Sequence, residues 1–580
     1  MLLVLGGVPV AFWPALYDDF TLPKQSLLVA GCSVLITGVT WSGRWKIPHR
    51  LIVAGLAAWV VIAIASAMTG LDRRGSVLGY YQYRQGVVTQ LAYVGVFAGG
   101  FALASSGRSW VMAGAGAGLA GVLAYTLVQA FGLDPIDWWI DTSDRAIGTI
   151  GNANELAAFG VIAMGVVAFL PARWAPAGAG AAWGAALFFA MEAESRSGLA
   201  AVALFLALLA PAEWLAGRSG RRLVRYAAPA AAGLAVAASV SLAAGGMAGT
   251  AGRVGGESTA QETAGSTRIA LWTGTLSVIG ARPLLGSGPD GLHLAFPRDR
   301  PADLPGAYES YDLVAQSSHN IVLDSAANLG AGGLAAVAAL VVGSALVSVR
   351  AVRGGAGHAG PDWPVAWAAM GAYGALMLVN PVSLAAHTLF MAMLGTAAGE
   401  ALGEHAAPAR ASWRPGALAG VCAAAAVGFA GLLLAADMRA QAGWDAFATG
   451  DFVKAAAEYR AAGALAPTER AYASRETVAL VAATSIDPGR APGTEAKLRE
   501  FDRQFGFNSG SAFDLAAVLI AQGRPASEVD AVVDSALALN PHGVFAAQYA
   551  ERLRVAAREG GILRFDAKDR WTAVEVRGAP

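Results

Sequence analysis

The sequence predicts an all-α, polytopic membrane protein that carries a soluble helical domain at its C-terminal end. Three observations predict it. Hydrophobic residues make up 56% of the 580 and charged residues 14%, against about 25% charged in a soluble globular chain. Apolar stretches long enough to span a bilayer, about 20 residues, recur throughout the first three quarters. The charges are unevenly spread: residues 436–580 hold 36 of the 82 charged side chains and residues 1–435 hold the other 46. Residues 1–435 therefore read as a membrane body and 436–580 as a soluble domain. The 41 basic and 41 acidic side chains cancel, which excludes bulk nucleic-acid binding, and the hydrophobicity excludes disorder.

About thirteen apolar stretches precede residue 436. The first runs from Leu2 to near Tyr17 and reads as a helix rather than a signal peptide, because a second apolar run follows at once. The others centre near Leu35, Ile62, Phe97, Ala120, Ala163, Leu187, Leu206, Ala235, Leu340, Met370, Met391 and Phe429. Many are rich in Ala and Gly, which lets membrane helices approach closely. Basic residues set the orientation. With the N-terminus inside, alternate loops carry Arg44, Lys46, Arg50, Arg108, Arg173, Arg218, Arg221, Arg222, Arg225, Arg350, Arg353, Arg410 and Arg414. Those loops hold 13 basic against 4 acidic residues, and the opposite side holds 11 basic and 18 acidic. An odd number of spans places the C-terminal domain outside the cytoplasm; an even number would place it inside. Cys32 and Cys422 lie in apolar runs and form no disulfide or zinc pattern.

The outer side has one long loop, about residues 245–318. Gly245 to Ser266 reads as irregular. From Ser266, a candidate cap, Ile269, Trp272, Leu276 and Ile279 follow at helical spacing until Pro283 ends the run. This is an amphipathic helix on the membrane face, with Arg268 one turn before Trp272. Next, Leu284 to Gly291 form a Gly-rich turn whose amides could approach a ligand. The loop closes with Ser317-Ser318-His319-Asn320, directly before an apolar run. His319 sits at a helix N-terminus, where the dipole disfavours imidazolium; a neutral His suits a general base, and a plain interfacial cap is the competing reading. Arg84, Arg145 and Arg196 also stand near membrane ends on this side. Guanidinium groups bind diphosphate through paired donors. Pairing of Arg196 with Glu192 or Glu194, pairing of Arg145 with Asp141 or Asp144, and snorkelling of Arg84 compete with that role.

Together these residues resemble the O-antigen ligase and bacterial polysaccharide polymerase family. The matching pieces are Tyr83-Arg84-Gln85-Gly86, Arg145 through Asn152-Ala153-Asn154, Ser195-Arg196-Ser197-Gly198, Arg268…Trp272…Arg282-Pro283-Leu-Leu-Gly286…Gly288, and His319-Asn320…Gly330…Gly333. The resemblance spans roughly residues 80–335, and Ala153 departs from the family's usual Pro. It implies transfer of a glycan from a polyprenyl diphosphate carrier to an acceptor hydroxyl, without metal or nucleotide, at the outer face of the bacterial cytoplasmic membrane. It implies His319 as the base, and Arg196 and Arg268 as diphosphate ligands. Arg268 is preferred over Arg282 because Arg-Pro closes the helix. Arg84, Arg145, Asn152, Asn154, Arg282 and Asn320 are carried over as substrate-binding positions.

After Asp437, Gly443, Gly450-Asp451-Phe452, Ala455, Tyr459, Ala462 and Pro467 fall at tetratricopeptide-type spacing, and a second copy ends near Pro541. A Pro/Gly-rich break is expected over 485–495. Such repeats imply docking of a protein partner or the acceptor, or a cap that only stabilises the body. A secondary transporter and a non-catalytic envelope scaffold are the competing functions. The transporter reading would put charged or broken-helix sites near the bilayer midplane, with internal symmetry; here the unusual residues cluster at the rim.

Overall fold

The structure, a computed structural model, describes residues 1–43, 49–104, 108–138, 145–216, 223–245, 258–302, 304, 315–353, 362–402, 413–506, 508–560, 562–566 and 570–575. Arg44, Lys46, Arg218, Arg221, Arg222, Arg410, Asp141 and Asp144, used above for orientation and pairing, lie outside the described residues, as do 246–257 of the long loop.

The body is helical. It comprises α1 (Thr21–Trp41), α2 (Arg50–Thr69), the short α3 (Gly75–Leu78), α4 (Val87–Leu103), α5 (Arg108–Ala130), α6 (Ala153–Ala163), α7 (Ala175–Glu192), α8 (Arg196–Leu215) and α9 (Val224–Ala244). These are followed by α10 (Ser258–Ala281), the short α11 (Leu292–Ala295), α12 (Ile321–Arg353), α13 (Trp363–Leu376), α14 (Leu384–Ala401) and α15 (Trp413–Ala448). Among the described residues, seven helices are long and apolar enough to cross a membrane: α1, α2, α5, α8, α9, α12 and α15. The protein is thus a multi-pass membrane protein. The first apolar stretch departs from expectation. It is a π-helical turn at Leu3–Gly7 and a 3₁₀ turn at Val8–Val10, and the chain then becomes extended at Ala11. Pro9 has no N–H to continue a helix, which explains the stop.

Burial sorts the helices. In α6, α7, α13 and α14 most side chains are buried, and these helices form the centre. The long α2, α9 and α15 expose Val61, Val236, Leu418 and Val421, as lipid-facing helices do. Glycines let central helices meet at backbone distance. A Cβ on Gly233 of α9 would collide with the Gly180 carbonyl of α7, and one on Gly395 of α14 with the Phe97 carbonyl of α4. Close backbone approach replaces the hydrophobic driving force that lipid does not supply.

At 1.5 Å per residue, 36-residue α15 is about 54 Å long, well beyond a ~30 Å hydrocarbon core. It runs unbroken through residue 436 and carries the chain into α16 (Phe452–Leu465), α17 (Arg470–Ile486), α18 (Ala491–Phe505), α19 (Ser509–Ala521), α20 (Ala526–Leu539) and α21 (Val544–Glu559). Sequential helices pack on one another. Leu498, Phe513, Val529, Val533 and Leu553 form their core. The break expected over 485–495 shrinks to a 3₁₀ turn at Pro488–Arg490, because Pro492 stands in the first turn of α18, where proline is tolerated. An antiparallel hairpin, β1 (Ile562–Asp566) and β2 (Arg570–Glu575), follows α21 and was not anticipated. Its alternating β-branched and aromatic residues were the available signal.

A buried polar network joins the C-terminal helices to the body. Arg84, fully enclosed, donates to Asp18 at 2.9 Å and to Glu469 at 3.0 Å. Its guanidinium lies 4.5 Å from the centre of the Tyr81 ring. Asp437 of α15 accepts from Tyr81, from Tyr472 at 2.7 Å and from the Asp18 amide at 2.8 Å. Around this network Tyr459, Tyr472 and Phe447 pack with Leu22, Leu78 and Tyr81 of the body. Burial opposes the charge on Arg84, and Glu469 and Asp18 outweigh it, holding the guanidinium firmly charged. Arg84→Met leaves two carboxylates facing each other without their cation, a loss of about 3–5 kcal/mol. Hydrogen exchange should then quicken across α16 and α17 while the central helices of the body keep their protection.

Candidate functional site

His319 stands in a short irregular segment before α12. Its backbone is left-handed, with φ 57°. Such a conformation costs energy in a non-glycine residue and has to be held by its surroundings. The holding group is Asp324, one turn into α12. Its carboxylate accepts from Ser317 Oγ at 2.6 Å, from the Ser318 amide at 2.7 Å and from Ser318 Oγ at 2.7 Å. Ser317 Oγ in turn accepts from the His319 amide at 2.9 Å. On the other side, Trp272 Nε1 donates to the Ser318 carbonyl at 3.0 Å, which brings α10, and Arg268 with it, to the His319 segment. Burial pushes the His319 imidazole down to about 4, and the Arg268 charge adds to the shift. The imidazole is therefore neutral at physiological pH, with a lone pair to accept a proton. Asn320, expected to bind substrate, caps α12: its Oδ1 accepts from Val322 at 3.0 Å and Leu323 at 3.2 Å.

A second cluster gathers Arg145, Asn152, Asn154 and Arg196. Asn152 caps α6 through the amides of Asn154 and Glu155. Arg145 donates to the Ala193 carbonyl at 2.9 Å and to Asn154 Oδ1 at 3.3 Å. Ser195 Oγ also donates to Asn154 Oδ1, at 3.4 Å, and Ser195 caps α8. Arg196, half-buried, opens α8. A cation at a helix N-terminus opposes the dipole, so local stability does not explain it there. Asn380, between α13 and α14, ties this cluster to the first. Its Nδ2 donates to Ser197 Oγ at 3.0 Å, and nearby the Met377 carbonyl accepts from the Ile321 amide at 2.9 Å. The N-termini of α6, α8 and α12 thus open on one face, with Arg196 and Arg268 beside them.

The long loop differs from expectation in two ways. First, α10 begins at Ser258, so Ser266 lies inside the helix rather than at its start. Its buried face is Ala270, Leu271 and Val278, packed with Leu292 and Phe296. Of the anticipated stripe, Ile269 and Leu276 are exposed, while Trp272 bonds the Ser318 carbonyl and Ile279 packs against the buried cluster. Periodicity found the two faces and could not tell which one the protein covers. Second, the Gly-rich turn docks on protein rather than offering its amides to a ligand. The Ser287 and Gly288 amides donate to the carbonyls of Ala327 at 2.8 Å and Asn328 at 3.1 Å, and the Ala331 amide donates to the Pro283 carbonyl at 2.8 Å. Ser66 Oγ of α2 joins them, donating to Leu285 and Asn328 carbonyls at 2.6 and 2.8 Å. This meeting breaks α12 at Gly330, where φ is 68° and a Cβ would collide with the Leu284 backbone.

Two expected ligands lie apart from these clusters. Arg84 is enclosed and paired with Asp18 and Glu469, and these ion pairs tie the C-terminal helices to the body. Arg282, exposed at the far end of α10, donates to the Thr69 carbonyl at 3.4 Å. The residues that sequence reasoning missed are Asp324 and Asn380. A lone carboxylate within an apolar run was the available signal for the first. Nothing local marks the second. Among the described residues no group of three His, Cys, Asp or Glu side chains is placed to hold a metal ion.

With this geometry in view, the comparison with known families is direct: residues 179–338 match the O-antigen ligase family. That segment, a little over a quarter of the chain, is similar to an O-antigen ligase domain. The matched segment runs from within α7 to within α12 and contains Arg196, Arg268, Arg282, His319, Asn320 and Asp324. The match points to glycan transfer in cell-envelope polysaccharide synthesis, with lipid-linked glycan and an acceptor as the coarse substrate classes. Comparison with curated proteins finds no match. Within the matched segment, Gly330→Ala should destabilise the protein by at least ~1–3 kcal/mol, since a strained φ alone costs that much. A lower unfolding midpoint of the purified, lipid-embedded protein is the readout.

Proposed function

We propose that this O-antigen ligase-type protein transfers a glycan from a polyprenyl diphosphate carrier to an acceptor hydroxyl at the extracytoplasmic face of the bacterial cytoplasmic membrane. The observation that carries the reading is a neutral His319 beside Arg268 on a face where three helix N-termini open. Helix N-termini and guanidinium groups suit the negative charge of a diphosphate. In the proposed step the acceptor oxygen attacks the anomeric carbon and its proton passes to His319. The bond from that carbon to the phosphate oxygen breaks, and the electron pair leaves with the polyprenyl diphosphate. Arg196 and Arg268 stabilise the charge that develops there. One displacement inverts the anomeric centre. No metal or nucleotide takes part, and transfer should persist in EDTA. The C-terminal helices, read as tetratricopeptide-like, belong on the same side as His319 in this proposal.

His319→Ala should lower transfer by about 10²–10⁴-fold, the usual contribution of a general base. The measurement is mass spectrometry of polyprenyl-diphosphate glycans in a deletion strain rescued with wild type or with the variant. Accumulation of carrier-linked glycan in both the deletion and the variant supports the reading. Long accumulating chains mean a ligase, and single repeat units a polymerase. An unchanged carrier pool in both strains sinks it.

The acid limb of transfer supplies an independent check. His319 is competent when neutral, so activity should be lost only as pH falls toward about 4. An unperturbed imidazole would lose it near 6.5. A pH profile of the reconstituted protein with its midpoint at 6.5 or above contradicts the proposed environment of His319.

A further inference from the structure

A cleft of about 1410 Å³ lies between the C-terminal helices and the face that carries His319. It exceeds the ~300–1,000 Å³ of a usual small-molecule site. Its floor includes Asn152 of the arginine cluster and Gln316, three residues before His319. Its roof comes from α15, α17, α18 and α19. The lining has three features that belong together.

At one end is an aromatic platform. Tyr17 and Trp444 lie 6.0 Å apart, and the Arg475 guanidinium stands 5.7 Å from the first ring centre and 5.9 Å from the second. Trp444 is 41% exposed, at the end of a helix that outruns the bilayer. A ring fixed by a neighbouring cation, with surface left open, suits the C–H face of a sugar. Along the walls, His293 of the body and Ser509 and Asn540 of the C-terminal helices bring polar side chains from both sides. His293 Nδ1 faces the Asp290 carbonyl at 2.8 Å, which leaves Nε2 as an acceptor in this tautomer. Such spaced donors and acceptors match hydroxyls along a chain. Finally, nine carboxyl side chains line the cleft against five arginines. That excess disfavours a polyanion.

We infer that this cleft is a binding site for an uncharged glycan chain, held between the Tyr17–Trp444–Arg475 platform and the His319 segment. The inference rests on the proposed glycan transfer for the identity of the chain, and on the cleft lining for its chemistry. It makes the C-terminal helices part of substrate binding rather than a separate docking module.

The test is photocrosslinking of the full-length protein in its native membrane. A benzophenone amino acid replaces Ser474, which lines the cleft, or Val453, which does not. Irradiation should yield a periodate-sensitive glycan adduct at 474 and none at 453. The adduct should persist in a His319→Ala background, because binding does not need transfer. Trp444→Ala should reduce it at least fivefold. Ser509→Ala, a milder change, should also reduce it if Trp444→Ala fails to fold. Glycan-free or prenyl-lipid adducts at 474, equal labelling at 453, or a uronic-acid-rich captured glycan would each overturn the inference. Normal transfer by His319→Ala, with the 474 adduct intact, would defeat the catalytic reading and leave the cleft standing.

Discussion

A guanidinium with no exposed surface has to be compensated where it lies, since removing one partner from a buried ion pair costs several kcal/mol. Arg84 is such a group, and its two carboxylates come from distant parts of the chain, Asp18 and Glu469. Asp437 gathers Tyr81, Tyr472 and the Asp18 amide beside it. This junction attaches α16 and α17 to the body, and with them the roof of the large cleft. It also accounts for the complete burial of the arginine in the Tyr83-Arg84-Gln85-Gly86 sequence.

The His319 segment depends on a different constraint, the satisfaction of backbone polar groups. Residues 283–288 and the broken α12 exchange backbone hydrogen bonds, which only glycines at 286 and 330 permit at that distance. Buried amides and carbonyls left unpaired would be costly, so this docking is hard to undo. Asp324 then collects the two serines that precede His319. A base held this way needs little reorganisation when a proton arrives, and burial keeps its pKa low.

Electrostatics links these parts to the chemistry. Helices α6, α8 and α12 open on one face through the caps Asn152, Ser195 and Asn320. Each cap consumes one or two amides and leaves the positive end of the dipole outward. Two arginines stand at this face while carboxylates dominate the neighbouring cleft. In the proposed function, the arginine-bearing face would take the diphosphate of the donor and the neighbouring cleft the glycan chain.

Some of this is local and some is not. Composition and apolar run length determined the membrane body, because every backbone group in lipid has to be satisfied within a helix. The order of Arg196, Arg268 and His319 pointed to the resemblance, since all three lie within the one continuous segment, 179–338, that matches the O-antigen ligase family. The fall in hydropathy near residue 436 marked the C-terminal helices, though α15 runs straight through it. Only the tertiary structure decided which face of α10 is covered, that the Gly-rich turn binds protein, that Arg84 is an internal tie, and that Asn380 bridges the two arginine-bearing clusters. Each of these depends on a partner tens to hundreds of residues away. Periodicity and motif spacing describe what a segment offers; which segment accepts the offer is settled by packing.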